Sequence, residues 1–108
     1  MSAKPVEALE PVQADLEYAR SFYESWKRGG GDEILQKYFD ALDWIEWNPD
    51  LFPRKFGMIQ RVLLKRSYFV VYFLQEKDRS VVVAVLDGRR DPRVIRKLIG
   101  GRRGRTGH

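Results

Sequence analysis

The chain has 108 residues, which suffices for one domain with a modest core, and it contains no cysteine. The lack of cysteine excludes disulfides and thiolate metal ligands, and the single histidine, His108, is the last residue, which argues against a zinc site. No stretch approaches the roughly 18 apolar residues of a membrane helix, and the N-terminus has no signal-peptide core. We therefore expect a cytoplasmic protein that uses no cofactor.

The net charge of +5 conceals a strong asymmetry between the two halves of the chain. Residues 1–53 contain five basic and eleven acidic side chains, a balance of −6, whereas residues 54–108 contain fifteen and four, a balance of +11. Such a basic half indicates an acidic partner or nucleic acid. The alternative is that the two halves neutralise each other within the fold.

The first half predicts a short strand followed by a helical hairpin. Residues 6–9 suit a strand, and Pro11 suits the first position of a helix that continues to about Arg28, where three glycines follow. Asp32 can cap a second helix, which Asn48 ends because a proline follows it. The apolar stripes of the two helices are Val12, Leu16, Ala19, Tyr23 and Trp26, and Leu35, Tyr38, Leu42 and Ile45 with Phe39 beside them. We predict that their aromatic members belong to the core.

The second half changes to the periodicity of β-strands. After a loop at residues 50–57, residues 58–65 alternate between two faces, and residues 68–74 are apolar on both faces, as in a central strand. A turn at residues 76–79 leads to the valine-rich strand of residues 81–86. The pattern predicts an α+β fold in which the helical hairpin covers a three-stranded antiparallel meander.

The chain leaves the last strand at Asp87-Gly88, and two arginines, Arg89 and Arg90, follow at once. Their guanidinium groups could pair with carboxylates of the same chain or bind the carboxylates or phosphates of a partner. Beyond Pro92 we predict a short helix to Ile99, which completes a single domain of residues 1–99. The glycine- and arginine-rich composition of residues 100–108 predicts a basic, disordered tail.

Four segments in this order resemble the RelE/ParE-superfamily toxins of bacterial type II toxin–antitoxin modules, which include plasmid stabilisation systems. They are the helix segments A14-D-L and F22-Y-E, the loop N48-P-D-L-F-P53, the strand pair R61-V-L-L-K-R-S-Y-F-V-V-Y72, and the exit V83-A-V-L-D-G-R-R-D-P92. The match covers about residues 5–92, and the long helical hairpin is closer to the ParE-like branch.

The resemblance implies two different activities. RelE-like toxins cleave messenger RNA in the ribosome without a metal, whereas ParE-like toxins bind and inhibit DNA gyrase. The chain has Phe69 where RelE-like toxins have an arginine, and it has no tyrosine after Tyr72. The resemblance therefore favours gyrase inhibition over a ribonuclease, and a non-toxic basic binding domain with the same fold is the third alternative.

The resemblance also implies an acidic antitoxin that wraps the toxin, so that apolar grooves give affinity and the basic half steers association. The predicted partner-binding residues form a basic face made of Lys55, Arg61, Lys65, Arg66, Arg89 and Arg90. If the protein is a ribonuclease, the catalytic candidates are Arg61, Lys65, Arg89 and Arg90.

Overall fold

The computed structural model describes the backbone of residues 3–106 and the side chains of residues 3–103. Within these residues the helices and strands follow in the order β1 (Val6–Ala8), α1 (Pro11–Trp26), α2 (Gly30–Trp47), β2 (Arg54–Phe56), β3 (Ile59–Leu63), β4 (Phe69–Gln75), β5 (Ser80–Asp87) and α3 (Pro92–Thr106). A short 3-10 helix at Pro49–Leu51 connects α2 to β2.

The strands form one sheet in the order β1-β5-β4-β3-β2. The α+β fold is confirmed, and the predicted meander is its antiparallel centre, β3-β4-β5. The sheet as a whole is mixed, because β1 pairs in parallel with β5. The predicted loop at residues 50–57 contains β2, which turns into β3 through Gly57 at a φ of 56°. The strand predicted at residues 6–9 is confirmed as β1, whereas β2 was predicted as a loop because three residues are too few for alternation to show in the sequence.

The helical hairpin covers one face of the sheet, where Tyr38 and Ile45 of α2 pack in one core with Phe69 and Phe73 of β4. The stripe predicted for the aromatic side chains is wrong at two positions: Trp26 is 64% exposed and Phe39 is 54% exposed. The buried side of α2 is instead formed by Ile34, Tyr38, Ala41 and Ile45.

The turn between the two helices also differs from the prediction. The second helix begins at Gly30 rather than after Asp32, with Gly29 as its N-cap at a φ of 84°. A Cβ on Gly30 would lie 2.5 Å from the Tyr23 carbonyl oxygen, so the two helices approach each other through glycine. The turn is therefore tight, and α2 begins earlier than a cap at Asp32 predicts.

The second face of the sheet is covered by α3, whose Ile95 and Ile99 pack against Val70 and Tyr72 of β4. The helix was predicted to end at Ile99 and the tail to be disordered, but α3 continues to Thr106. Residues 107 and 108 lie outside the described residues.

A buried ion pair accounts for the longer helix. The Arg102 guanidinium donates two hydrogen bonds to the Asp15 carboxylate, at 2.6 and 2.8 Å, and a third to the Val83 carbonyl at 3.0 Å. Asp15 also accepts a bond from the Val85 N–H at 3.0 Å. Since β1 pairs only with residues 80–82 of β5, these bonds satisfy the edge of β5 that β1 does not reach. The pair thereby ties α1, β5 and α3 together.

Candidate partner-binding surfaces

A groove of about 840 Å³ runs between α2 and the outer edge of β3. Three large apolar side chains on its walls are more than half exposed: Trp44 at 54%, Leu51 at 53% and Leu63 at 61%. The other side chains that line this α2–β3 groove are Glu33, Lys37, Asp40, Ala41, Phe52, Val62, Leu64, Lys65 and Arg66. Apolar walls with a charged rim are typical of sites that bind a partner segment.

The 3-10 helix that carries Leu51 is held against the sheet by Gln60. The amide of this buried side chain donates to the carbonyls of Pro49 and Phe52, at 2.8 and 2.9 Å, and accepts a bond from Gln75 at 2.9 Å. A buried amide with these partners fixes the loop, so this wall of the groove is formed before any partner binds.

The groove also includes an unpaired sheet edge. The partners of β2 are Gln60 and Ile59, and the Arg61 N–H donates to the Pro53 carbonyl at 3.0 Å. Further along, Val62 and Leu63 pair with β4 on one side, and no strand among the described residues lies on their other side. An edge of this kind can accept an added strand from a partner.

Lys65 and Arg66 lie at the tip of the β3–β4 turn, at one end of the groove. Arg66 has a φ of 56°, in the left-handed region that glycine adopts without strain. The turn is closed by the Ser67 N–H, which donates to the Leu64 carbonyl at 3.1 Å, and by the Ser67 hydroxyl, which donates to the same carbonyl at 2.9 Å. The closed turn thus holds the Arg66 side chain at the end of the groove at a cost in backbone strain.

Arg89 is held within the protein. Its guanidinium donates to the Asp87 carboxylate at 2.6 and 3.0 Å and stacks 3.7 Å from the centre of the Tyr68 ring. The hydrogen bonds from Arg89 hold the pKa of the Asp87 carboxyl below its ordinary value. Arg90, in contrast, lines a pocket of about 160 Å³ between α1, β5 and α3.

The six predicted partner-binding residues form two groups. Lys65 and Arg66, in the β3–β4 turn at the groove, lie at the same end of the sheet as Arg89 and Arg90 at the exit of β5, because the Gly88 N–H donates to the Tyr68 carbonyl at 2.7 Å. The second group is at β2 and β3, where Lys55 lies within 5.8 Å of the Phe56 ring and Arg61 pairs across the sheet with Tyr72. Burial raises the pKa of the Tyr72 phenol, and the nearby Arg61 charge opposes that shift.

The acidic and basic halves are only partly paired. Arg79 and Arg102 reach across to Glu7 and Asp15, but Arg89 and Arg93 pair within the basic half, with Asp87 and Asp91. Of the six predicted partner-binding residues, Arg89 forms an ion pair, with Asp87. The other five form none with any side chain that the structure describes. The basic half therefore keeps uncompensated positive charge at these positions.

The four catalytic candidates do not all gather around one point, because Arg61 is separated from Arg89. Arg61 lies opposite Tyr72, whose ring packs on the α3 side of the sheet, while Asp87, which holds Arg89, lies opposite Phe69, whose ring packs on the hairpin side. Residues that pair directly across strands project to the same face. Arg61 and the Asp87–Arg89 pair therefore belong to opposite faces of the sheet.

Sequence reasoning missed the apolar walls of the groove. Trp44 lies off the predicted α2 stripe, which was a signal that it faces outward. Leu51 and Leu63 gave no such signal, because one lies in a short 3-10 helix and the other on a strand that has no neighbour on its outer side among the described residues. Within residues 3–106 no group of three or more acidic or histidine side chains could hold a metal ion. No helix in this range is long and apolar enough to span a membrane.

No family model matches the chain, and no curated protein does so either. A solved structure, "Chromosomal ParDE TA system from P. aeruginosa", contains a chain of similar fold, with a TM-score of 0.65 and 12% sequence identity. The match covers 77% of this chain and 94% of that chain. The fold expected from the RelE/ParE resemblance is thus confirmed.

Proposed function

We propose that this chain is the toxin of a type II toxin–antitoxin module, that an acidic antitoxin neutralises it, and that it arrests growth by binding DNA gyrase. The observation that carries this proposal is the shared fold, which extends over 94% of a chain from a ParDE system. The sequence resemblance in residues 5–92 points to the same class of protein.

The α2–β3 groove is the antitoxin site in this proposal. Its exposed apolar side chains, Trp44, Leu51 and Leu63, offer area to bury, and the unpaired edge of β3 offers backbone hydrogen bonds. Lys65 and Arg66 at its end carry charge that no described side chain neutralises, which suits an acidic segment.

The arrangement of the arginines supports a binding function over RNA cleavage. A metal-free ribonuclease needs several cations around one phosphodiester, to stabilise charge that develops in the transition state. Here Arg61 and Arg89 belong to opposite faces of the sheet, and Arg89 is engaged by Asp87 and Tyr68. Inhibition of gyrase requires no such convergence.

The deciding experiment combines controlled expression with a supercoiling assay. We expect growth arrest on expression, and loss of supercoiling by purified gyrase, with accumulation of cleaved DNA, when the protein is added. Codon-phased cuts in translated messages with unaffected gyrase would instead establish the ribonuclease. If the protein neither inhibits gyrase nor cleaves messages, and growth is normal on expression, the protein is a non-toxic binding domain.

A further inference from the structure

Four aromatic side chains surround the end of the molecule at which α1 ends and β5 exits. Tyr18, Phe22 and Trp26 lie at every fourth position along α1, and Tyr68 lies at the start of β4. Three of these rings are well exposed: Tyr18 at 56%, Trp26 at 64% and Tyr68 at 39%. With Arg89 they form the surface that we call the aromatic end.

The aromatic end is continuous. The ring centres are 6.5 Å apart for Tyr18 and Phe22, 5.3 Å for Phe22 and Trp26, and 6.3 Å for Trp26 and Tyr68, on which Arg89 stacks. The three positions on α1 span about 12 Å along the helix axis, so more than one planar ligand ring can be accommodated. Tyr18 and Trp26 keep more than half of their surface open to solvent, whereas Arg89 covers one face of the Tyr68 ring and leaves the rest of that ring for a ligand.

Positive charge flanks these rings on two sides. Arg66 lines a pocket with Trp26 and Tyr23, and Arg90 lines the pocket of about 160 Å³ with Tyr18. Neither arginine has an ion-pair partner among the described side chains.

The carboxylates at this end already have donors. Asp87 is paired with Arg89, and Asp15 is paired with Arg102. Glu24 accepts the N–H groups of Gly29 and Gly31 at 3.1 and 3.0 Å, which lowers its pKa. Glu24 keeps its negative charge, because N–H groups are neutral donors, but it lines neither of the two pockets. The charged pocket-lining side chains that have no ion pair among the described residues are all positive: Lys37, Arg66 and Arg90.

We propose that the aromatic end binds single-stranded nucleic acid. Exposed rings stack on bases of any sequence, because every base has a π face, and unpaired cations beside the rings contact the phosphates. Trp26, Tyr68 and Tyr18 are the stacking positions, and Arg66 and Arg90 are the phosphate contacts. This function goes beyond toxin activity on gyrase. Its stacking rings lie outside the α2–β3 groove, with which the aromatic end shares Arg66.

The experiment measures fluorescence anisotropy of labelled oligothymidylate of about 15 nucleotides with the full-length protein. Oligouridylate and a duplex of matched length are the comparison probes. We expect both single strands to bind more tightly than the duplex. Trp26→Ala and Tyr68→Ala should each weaken binding by about tenfold, the size of one lost stacking contact.

Trp47→Ala is the matched control, because Trp47 is 62% exposed but lies at the far end of α2 from the aromatic end. It should bind like the wild type. Arg66→Gln and Arg90→Gln should each reduce the slope of log affinity against log salt by about 0.7, the value for one phosphate contact to a single strand. Because Trp26 is largely exposed, its replacement tests the proposal even if Tyr68→Ala fails to fold.

Three results would overturn the proposal. They are no binding of either single strand at about 50 mM salt, equal binding by wild type and Trp26→Ala, and tighter binding of the duplex. If the aromatic variants lose gyrase inhibition while their affinity for oligothymidylate is unchanged, the aromatic end is a protein interface instead. Failure of gyrase inhibition in the wild type leaves this binding assay unaffected, so the two proposals are separable.

Discussion

Arg66 occupies a left-handed backbone conformation with a φ of 56° at the rim of the α2–β3 groove. This conformation costs a non-glycine residue about 1 kcal/mol or more. We predict that Arg66→Gly raises the free energy of unfolding by about 1 kcal/mol and at the same time weakens antitoxin binding. Urea denaturation measures the first effect and titration calorimetry the second.

Lys65→Gly is the control for Arg66→Gly, because Lys65 lies beside it in the same turn and its φ is not positive. It also removes one cation, but it relieves no strain and adds freedom to the unfolded chain, so stability should fall slightly. A stability gain in both variants would mean that the turn, rather than the Arg66 conformation, is responsible.

The Asp87–Arg89 pair yields a prediction about acid stability. Arg89 lowers the pKa of Asp87 in the folded state, so the pair stabilises the fold above the ordinary carboxyl pKa and loses that contribution as pH falls through the folded value. We predict that Arg89→Gln raises the pKa of Asp87 in an NMR titration. An unchanged Asp87 titration would show that the backbone N–H of Arg89, which also donates to this carboxylate, is sufficient.

The sequence alone could not show which of the two arginines at the exit of β5 pairs within the chain. Arg89 and Arg90 both have an aspartate within two residues, and both intramolecular pairing and partner binding were open to them. Arg89 pairs with Asp87 because it can also stack on Tyr68, a contact made by two distant segments. Asp91 instead pairs with Arg93, and Arg90 is left without an ion pair among the described side chains.

Among the elements, α3 depends on the buried pair of Asp15 and Arg102, whose side chains are 8% and 14% exposed. Removing one partner leaves a buried charge and an unsatisfied edge of β5. We predict that Asp15→Ala lowers the free energy of unfolding by about 3 kcal/mol or more, measured by urea denaturation.

Arg93→Ala is the matched control for this pair, because Arg93 also pairs with an aspartate but its side chain is 91% exposed. Its effect should stay within about 0.5 kcal/mol. The double variant Asp15→Ala with Arg102→Met should recover part of the loss, since no buried charge then remains unpaired. Equal effects of Asp15→Ala and Arg93→Ala would show that the pair does not anchor α3.

The elements that sequence periodicity predicted well are the long ones. The hairpin helices and the meander strands gave at least five residues of pattern each, and all of them are present. The extension of α3 was missed because residues 100–103 are two glycines and two arginines, which show no apolar helical periodicity. The ion pair between Arg102 and Asp15 stabilises the helix there in spite of its weak local propensity. Local pattern cannot register a contact between residues 87 positions apart.

For the whole molecule, the charge asymmetry survives folding at particular sites. Arg79 and Arg102 neutralise carboxylates of the acidic half, but Lys65 and Arg66 remain uncompensated beside an apolar groove. Uncompensated surface charge raises the association rate constant, because it attracts the partner before contact. Buried apolar area lowers the dissociation rate constant, because it stabilises the complex once it has formed. The groove should therefore show the two contributions separately in its kinetics.

The antitoxin can be isolated as the protein that relieves the growth arrest when the two are expressed together. We predict that the double variant Lys65→Gln and Arg66→Gln lowers the association rate constant of this antitoxin by about tenfold at low salt. The difference from wild type should shrink as salt rises to about 200 mM, because screening removes the steering field. Surface plasmon resonance at several salt concentrations measures both rates. The dissociation rate should change less than the association rate.

Leu63→Ala should give the opposite kinetic pattern, because Leu63 is uncharged, 61% exposed and part of the groove wall. Its loss should raise the dissociation rate by about tenfold at every salt concentration, since buried apolar contact holds the formed complex together. Val94→Ala removes an apolar side chain of 53% exposure from α3, outside the groove, and should leave both rates unchanged. If Val94→Ala and Leu63→Ala raise the dissociation rate equally, the antitoxin covers α3 as well, and the apolar walls of the groove are then not its principal site.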